Sequence, residues 1–308
     1  MKDVLIAAAY TPFTSDLEVD YRQVAHQLDY LLSTGVKGVL IGGTTGEGVS
    51  LTMQERMQLV ETWKKIVPND FKLVVHVGHN AYKESNALAL HAQKIGADSI
   101  LGSTPTYFRP TSSTELVSFF QHSLKGINLP FYYYHIPSVT GVSLSMVELL
   151  SDMKEKVKTF RGIKFTHEDL DEFEQCLNSH GGQYDMVFGR DEMLLEAVQR
   201  GARTATGSTY NYMASLYTEM LSTYRSGQGE IANELQAEAV RIIKILNDFG
   251  GGIVAGKAMM QLAGVDCGPV RPPLTSLTPF KTEQMTEALS QTRFFEFTNQ
   301  QPIKPNIS

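Results

Sequence analysis

A lysine stands in the middle of an apolar, strand-like run, RGIKFT at 161–166. A buried ammonium is costly unless it is paired or gives up its proton. Lys164 therefore sits at the wet end of its strand, is half of a structural ion pair, or is a working amine. A solvated lysine, with a pKa of about 10.4, is almost fully protonated at neutral pH, and partial desolvation frees the lone pair for attack on a carbonyl. A second run, YYYHIP at 132–137, puts Tyr132 and Tyr134 on one face of a strand and Tyr133 on the other. A phenol at a strand end either relays a proton or packs with its hydroxyl satisfied. GGTTGEG at 42–48 joins a third run to a helix. Its small residues permit close backbone approach, and Thr44 and Thr45 with the loop N–H groups make a concave anion site near a helix N-terminus. It is not a P-loop, because no Gly-Lys-Ser/Thr follows; the plainer alternative is a tight turn with a threonine cap. GRDE at 189–192 offers Asp191 and Glu192 as acceptors for a polyhydroxylated molecule, or as the acidic start of a helix.

Other chemistries find less support. His76 and His79 in HVGH face opposite sides of a strand, with no third ligand at a suitable spacing, so no metal site is expected. Glu168, Asp169, Asp171 and Glu172 in HEDLDEF are read as a solvated helix start. The net charge of -6 offers no basic field for nucleic acid. Cys176 and Cys267, the 2 cysteines, form no CxxC and no disulfide framework, which points to a reducing, cytoplasmic setting. The N-terminal run MKDVLIAAAYTPF is too short to span a membrane and lacks a signal-peptide core. A hydrophobic content of 42% against 19% charged residues describes a well-buried globular chain of 308 residues.

The elements that carry these residues alternate. Strand-like runs at VLIAAAYTPF, 38–43, 72–78, DSILGSTP, 129–137, RGIKFT, 185–189 and 202–209 are separated by amphipathic helical segments, the first near 21–33. The strands are continuously apolar, as in a parallel sheet buried on both faces. Eight βα units argue for an α/β fold, a (β/α)8 TIM barrel, with a doubly wound sheet as the alternative. After Thr209 the rhythm turns helical, at roughly 211–225, 229–248, 253–263 and 281–292. The expected organisation is a barrel over 1–210 and a C-terminal helical extension over 211–308, packed as one compact domain. In a barrel, function lies at the C-terminal ends of the strands. Thr44, Thr45, Tyr107, Tyr134, Lys164, Thr166, Asp191, Glu192 and Ser208 all fall there.

GGTTGEG, YYYHIPSVTG and GIKFT, in that order and at these spacings, resemble the pyruvate-dependent class I aldolases, the family of dihydrodipicolinate synthase and N-acetylneuraminate lyase. The resemblance runs from AAAYTPF to the C-terminal helices. Val139 stands where the dihydrodipicolinate synthases carry an arginine for the substrate carboxylate, and Phe165–Thr166 where they carry Glu-Ala. FYYYHIPSVTGV, GIKFT, GRDE and GSTYNY are instead similar to the N-acetylneuraminate lyase branch, from which Arg190 departs. The resemblance implies a reversible carbon–carbon cleavage of N-acetylneuraminate to pyruvate and N-acetylmannosamine. Lys164 would form the Schiff base and Tyr134 would move the proton. Thr44 and Thr45 would hold the carboxylate, with Thr44 also positioning Tyr134. Tyr107 would act across a subunit contact, and Thr166, Gly189, Asp191, Glu192 and Ser208 would bind the sugar hydroxyls. It implies no metal, no coenzyme, no nucleic-acid or membrane partner, and a homotetramer. Another pyruvate aldolase or keto-acid dehydratase of the same family, or a barrel that binds without turnover, are the rival readings.

Overall fold

Apolar runs without a polar face are stable only where a sheet is covered on both sides. In the computed structural model, which describes residues 4–298, every such run lies in one sheet so covered. The strands are β1 (Val4–Ala8), β2 (Gly38–Ile41), β3 (Lys72–His76), β4 (Ser99–Ser103), β5 (Phe131–His135), β6 (Phe160–Phe165), β7 (Asp185–Phe188) and β8 (Thr204–Gly207). Each pairs in parallel with the next and β8 returns to β1, so the sheet closes into a (β/α)8 barrel and is not an open doubly wound sheet. Closure leaves no free strand edge. Residues 1–3 and 299–308, which include the two ends of the expected organisation, lie outside the described residues.

The helices are α1 (Gln23–Ser33), α2 (Met53–Ile66), α3 (Tyr82–Lys94), α4 (Ser113–Ser123), α5 (Pro137–Thr140), α6 (Met146–Lys156), α7 (Leu170–Asn178), α8 (Leu194–Gln199), α9 (Tyr210–Arg225), α10 (Gly229–Asp248), α11 (Gly251–Leu262), α12 (Pro279–Ser290) and α13 (Phe294–Phe297). Their starts are written in the sequence. Thr52 and Glu55 form a reciprocal capping box on α2, and Ser112, Ser145, Asp169 and Thr278 each accept a backbone N–H at the start of their helices. The expected boundary at 210/211 falls at the start of α9, which packs on β8 and β1 and completes the ring; α10 then lies along α9.

Strand alternation sorts side chains into two layers. On β5, Phe131 and Tyr133 join the large core between barrel and helices, whereas Tyr132 and Tyr134, with Ile136 just beyond the strand, join the smaller core inside the barrel with Ile6, Ala8, Leu40 and Leu101. On β6, Ile163 and Phe165 belong to the outer layer, which turns Lys164 inward. Both cysteines are buried and free, and among the described residues no helix is long and apolar enough to cross a membrane.

Candidate active site

The β5–β6 register sets Tyr134 directly opposite Lys164. The Lys164 ammonium nitrogen lies 3.9 Å from the centre of the Tyr134 ring, and the two residues are 5% and 4% exposed. Among the described residues Lys164 makes no ion pair with a carboxylate, so the structural-pair alternative finds no partner. Burial alone would push the Tyr134 phenol up. The positive charge of Lys164, with donors from Lys164, Thr44 and Thr166, outweighs it and brings the phenol below its ordinary value. Behind Tyr134, His76 packs edge-on at 6.2 Å. Burial, and then the positive charges of Arg56 and Lys164, hold His76 down to about 3, so its imidazole is neutral through the physiological range. Its Nε2 lies 3.2 Å from Ser103 Oγ, and Arg56 of α2 donates to the carbonyls of His76 (2.7 Å) and Gly78 (3.0 Å). The histidine that sequence spacing set aside as a ligand thus braces the wall behind the phenol, while His79 is exposed.

Thr44 and Thr45 sit at the mouth above this pair. Their loop folds on itself: Glu47 N–H donates to Thr44 O (3.0 Å) and Gly48 N–H to Gly43 O (3.1 Å). A short 3-10 turn follows and α2 starts only at Met53, so the donors facing the cleft belong to the loop and not to the expected helix N-terminus. The loop is anchored from below. Glu47, in the left-handed region at φ 51, makes a fully buried ion pair with Lys257 of α11 at 2.9 Å and accepts from the Arg271 N–H at 2.9 Å. Lys257 also donates to Pro269 O at 2.6 Å. A buried pair of this kind costs desolvation of both ions, and removing one partner strands the other. Its effect is to tie the threonine loop to the C-terminal helices.

The far rim comes from β6, β7 and β8. Thr166, Gly189, Arg190, Asp191, Glu192 and Ser208 line the same cleft, whose volume is about 500 Å³. Two glycines make this rim possible, since a Cβ at Gly189 would overlap the Thr166 hydroxyl and one at Gly207 would overlap the Asp191 carboxylate. The Thr166 hydroxyl faces Tyr134 without full hydrogen-bond geometry, and Thr166 Oγ1 and Asp191 Oδ1 are both buried oxygens left without a partner. Asp191 Oδ2 accepts from the Thr209 N–H (3.0 Å) and hydroxyl (2.6 Å). Desolvation nevertheless raises the Asp191 carboxyl to about 6 from its ordinary 3.8.

That shift has a measurable consequence. The folded state binds the Asp191 proton more tightly than the unfolded state does, so stability is lost as pH rises from about 3.8 through 6. The full effect is at most roughly 3 kcal/mol. Asp191→Asn is therefore expected to be about 1–3 kcal/mol more stable than the parent at pH 7, with the gap closing below pH 4. Urea unfolding of both proteins across that range checks it; equal stability at pH 7 would contradict it.

The sequence places Thr44, Thr45, Tyr134, Lys164, Thr166, Asp191, Glu192 and Ser208 at one rim, the resemblance adds Gly189, and the structure brings all of them into one cleft. It does not bring Tyr107 there. Tyr107 is 81% exposed, packed edge-on with the 86% exposed Phe108 at 5.1 Å in a separate surface depression. Sequence reasoning missed the residues that the extension contributes: Ile243, Leu246 and Asn247 of α10, and Gly250, Gly252, Ile253 and Val254. Only the glycine run at 250–252 hinted at a special turn there. Arg190, singled out only as a departure, bridges Glu168 (2.8 Å) and Glu192 (2.7 Å) across the rim. Of the acidic run, Glu168, Asp169 and Asp171 are exposed and Asp169 caps α7, while Glu172 is half-buried.

Known proteins are similar to this chain over almost its whole length. The model of the dihydrodipicolinate synthetase family matches residues 2–292. N-acetylneuraminate lyase of Mus musculus is 38% identical over 99% of this chain and 97% of its own length, and that of Homo sapiens 37% over 96% and 94%. The structure of Proteus mirabilis N-acetylneuraminate lyase superposes with a TM-score of 0.91 at 33% identity, covering 95% of this chain and 99% of that one. A match to one family model from the first strand through α12, with a solved relative superposing at a TM-score of 0.91, leaves one assignment: this chain is a member of the dihydrodipicolinate synthetase family.

Proposed function

We propose that the chain is a carbon–carbon lyase, a class I aldolase that cleaves N-acetylneuraminate reversibly to pyruvate and N-acetylmannosamine. The observation that carries the reading is the buried Lys164 amine without a carboxylate partner, set against the face of Tyr134 at the floor of an open, hydroxyl-rich cleft. The relatives at 37–39% identity, all N-acetylneuraminate lyases, support the choice of substrate. Val139, on the lip of the cleft where an arginine would serve a shorter keto acid, agrees with it.

The Lys164 amine attacks the C2 ketone of the open-chain sugar, and loss of water gives a protonated imine. Tyr134 takes the C4 hydroxyl proton as the C3–C4 bond breaks, and the bonding pair moves into C2–C3 as an enamine while the imine nitrogen accepts the C=N electrons. The aldehyde that forms at C4 is N-acetylmannosamine. Protonation of the enamine at C3 and hydrolysis of the imine release pyruvate and restore the amine. A phenol lowered by its lysine neighbour is nearer the pH at which it must both take and return a proton. Thr44 and Thr45 orient the carboxylate, which holds the ketone against the amine. Thr166, Gly189, Asp191, Glu192 and Ser208 receive the hydroxyls of the aldehyde half. The imine is the electron sink, so the reaction calls for neither metal nor coenzyme. Tyr107 and Phe108 together make an exposed aromatic contact for a second copy, which suits a homotetramer. The two reduced cysteines suit the cytoplasm.

The test is release of pyruvate from N-acetylneuraminate, followed with lactate dehydrogenase, with N-acetylmannosamine in equal amount. Turnover of a shorter pyruvate-derived keto acid in place of N-acetylneuraminate would move the chain to the rival family activity. Arg190 offers a finer check. Its ion pair holds Glu192 toward the cleft, and a half-exposed pair of this kind is worth about 1 kcal/mol. Arg190→Val is expected to raise KM for N-acetylneuraminate roughly fivefold with little change in kcat. An unchanged KM would remove Arg190 from sugar binding.

A further inference from the structure

On the outside of the barrel wall, behind the strand that carries Lys164, three side chains from separate segments converge. His135 ends β5 and points away from the barrel interior, His167 lies in the connection from β6 to α7, and Glu172 stands in the first turn of α7. Their ligand atoms all lie within 4.8 Å of one another. The two imidazoles meet edge-to-face with centroids 5.6 Å apart. A second observation points the same way: Nδ1 of His135 and Nδ1 of His167 are both buried and neither has a hydrogen-bond partner, although His135 is only 1% exposed. Buried polar atoms are nearly always satisfied, and two orphans within one cluster call for a missing partner. Glu172 has one oxygen engaged, accepting from the Met146 N–H at 2.8 Å, which fixes the carboxylate and leaves its other oxygen available.

We propose that His135, His167 and Glu172 form a binding site for one zinc-class divalent ion. Two imidazoles and a carboxylate suit zinc, cobalt or nickel, and are poor in the oxygen donors that magnesium or calcium requires. Bond lengths of 2.0–2.2 Å place the ligand atoms of a tetrahedral zinc about 3.3 Å apart, so the three side chains close by roughly 1 Å around the ion, and a water completes the set. The site is separated from the cleft. His135 packs on Phe165 at 5.2 Å, and Phe165 on Phe173 of α7 at 5.6 Å, so the ion lies in the layer between barrel and helices and touches no substrate. Its effect is structural: it staples the end of β5 to α7 and fixes the connection that bears Thr166, whose N–H donates to His135 O at 2.8 Å.

The experiment uses the full chain without a polyhistidine tag, stripped with chelator and titrated with cobalt(II), read by visible absorption and native mass spectrometry. One equivalent is expected to bind, with the ligand-field bands of a low-coordinate nitrogen–oxygen site, and zinc is expected to displace it. His167→Ala and Glu172→Gln, at the two less buried ligands, are each expected to weaken binding at least tenfold while leaving the metal-free fold, read by circular dichroism, unchanged. Absence of saturable cobalt or zinc binding would overturn the site. So would stoichiometric binding that both variants retain at full affinity, since the ion would then sit elsewhere. The readout is binding, so the outcome stands apart from the aldolase reading.

Discussion

Lys164→Ala is expected to lower kcat for N-acetylneuraminate cleavage by at least about 10⁴-fold, because without the amine there is no imine and no sink for the electron pair of C3–C4. Among the described residues no other lysine lines the cleft. Lys257, the other buried lysine, is held by Glu47 beneath the threonine loop. The same substitution also separates chemistry from architecture. Lys164 has no carboxylate partner among the described residues, so its removal strands no buried charge. The variant is expected to melt at or above the temperature of the parent. Loss of activity together with a melting temperature lowered by many degrees would mean that Lys164 is a structural ion after all.

Tyr134→Phe is expected to lower kcat by about 10²–10⁴-fold, the range for loss of a positioned proton-transfer group, with KM changed little. The ring remains, and with it the packing against His76 and the contact with the Lys164 ammonium, so only the hydroxyl is tested. Imine formation with pyruvate needs no proton from the C4 hydroxyl, so the variant is expected still to be trapped by borohydride when given pyruvate. Activity within tenfold of the parent would take proton transfer away from Tyr134 and assign it to another group.

Much of this cleft was legible because its geometry follows from a period of two. The run FYYYHIP fixes which tyrosine faces inward, and RGIKFT does the same for Lys164, since Ile163 and Phe165 must reach the outer core. Closure of the barrel then brings the strand ends together whatever their distance in sequence. What was not legible depends on partners far away in the chain. Amphipathic periodicity shows that α10 buries a face, but not that Ile243 and Leu246 of that helix wall the mouth of the cleft. Nothing local pairs Glu47 with Lys257, and only the folded chain shows that the pair anchors the GGTTGEG loop. Spacing sets His76 beside His79, whereas His135, His167 and Glu172 share no motif and meet only because β5 neighbours β6. Tyr107 fell at a strand end with the others, yet its loop swings the ring outward into solvent, where a single chain gives it no catalytic contact.

The most direct test of the account is the intact mass of the protein after incubation with N-acetylneuraminate and borohydride, followed by peptide mapping. A pyruvate-sized adduct on Lys164 is expected, which records imine formation and carbon–carbon cleavage together. A sialate-sized adduct alone would mean binding without cleavage, and no adduct, or one on a different lysine, would contradict the Schiff-base mechanism at Lys164.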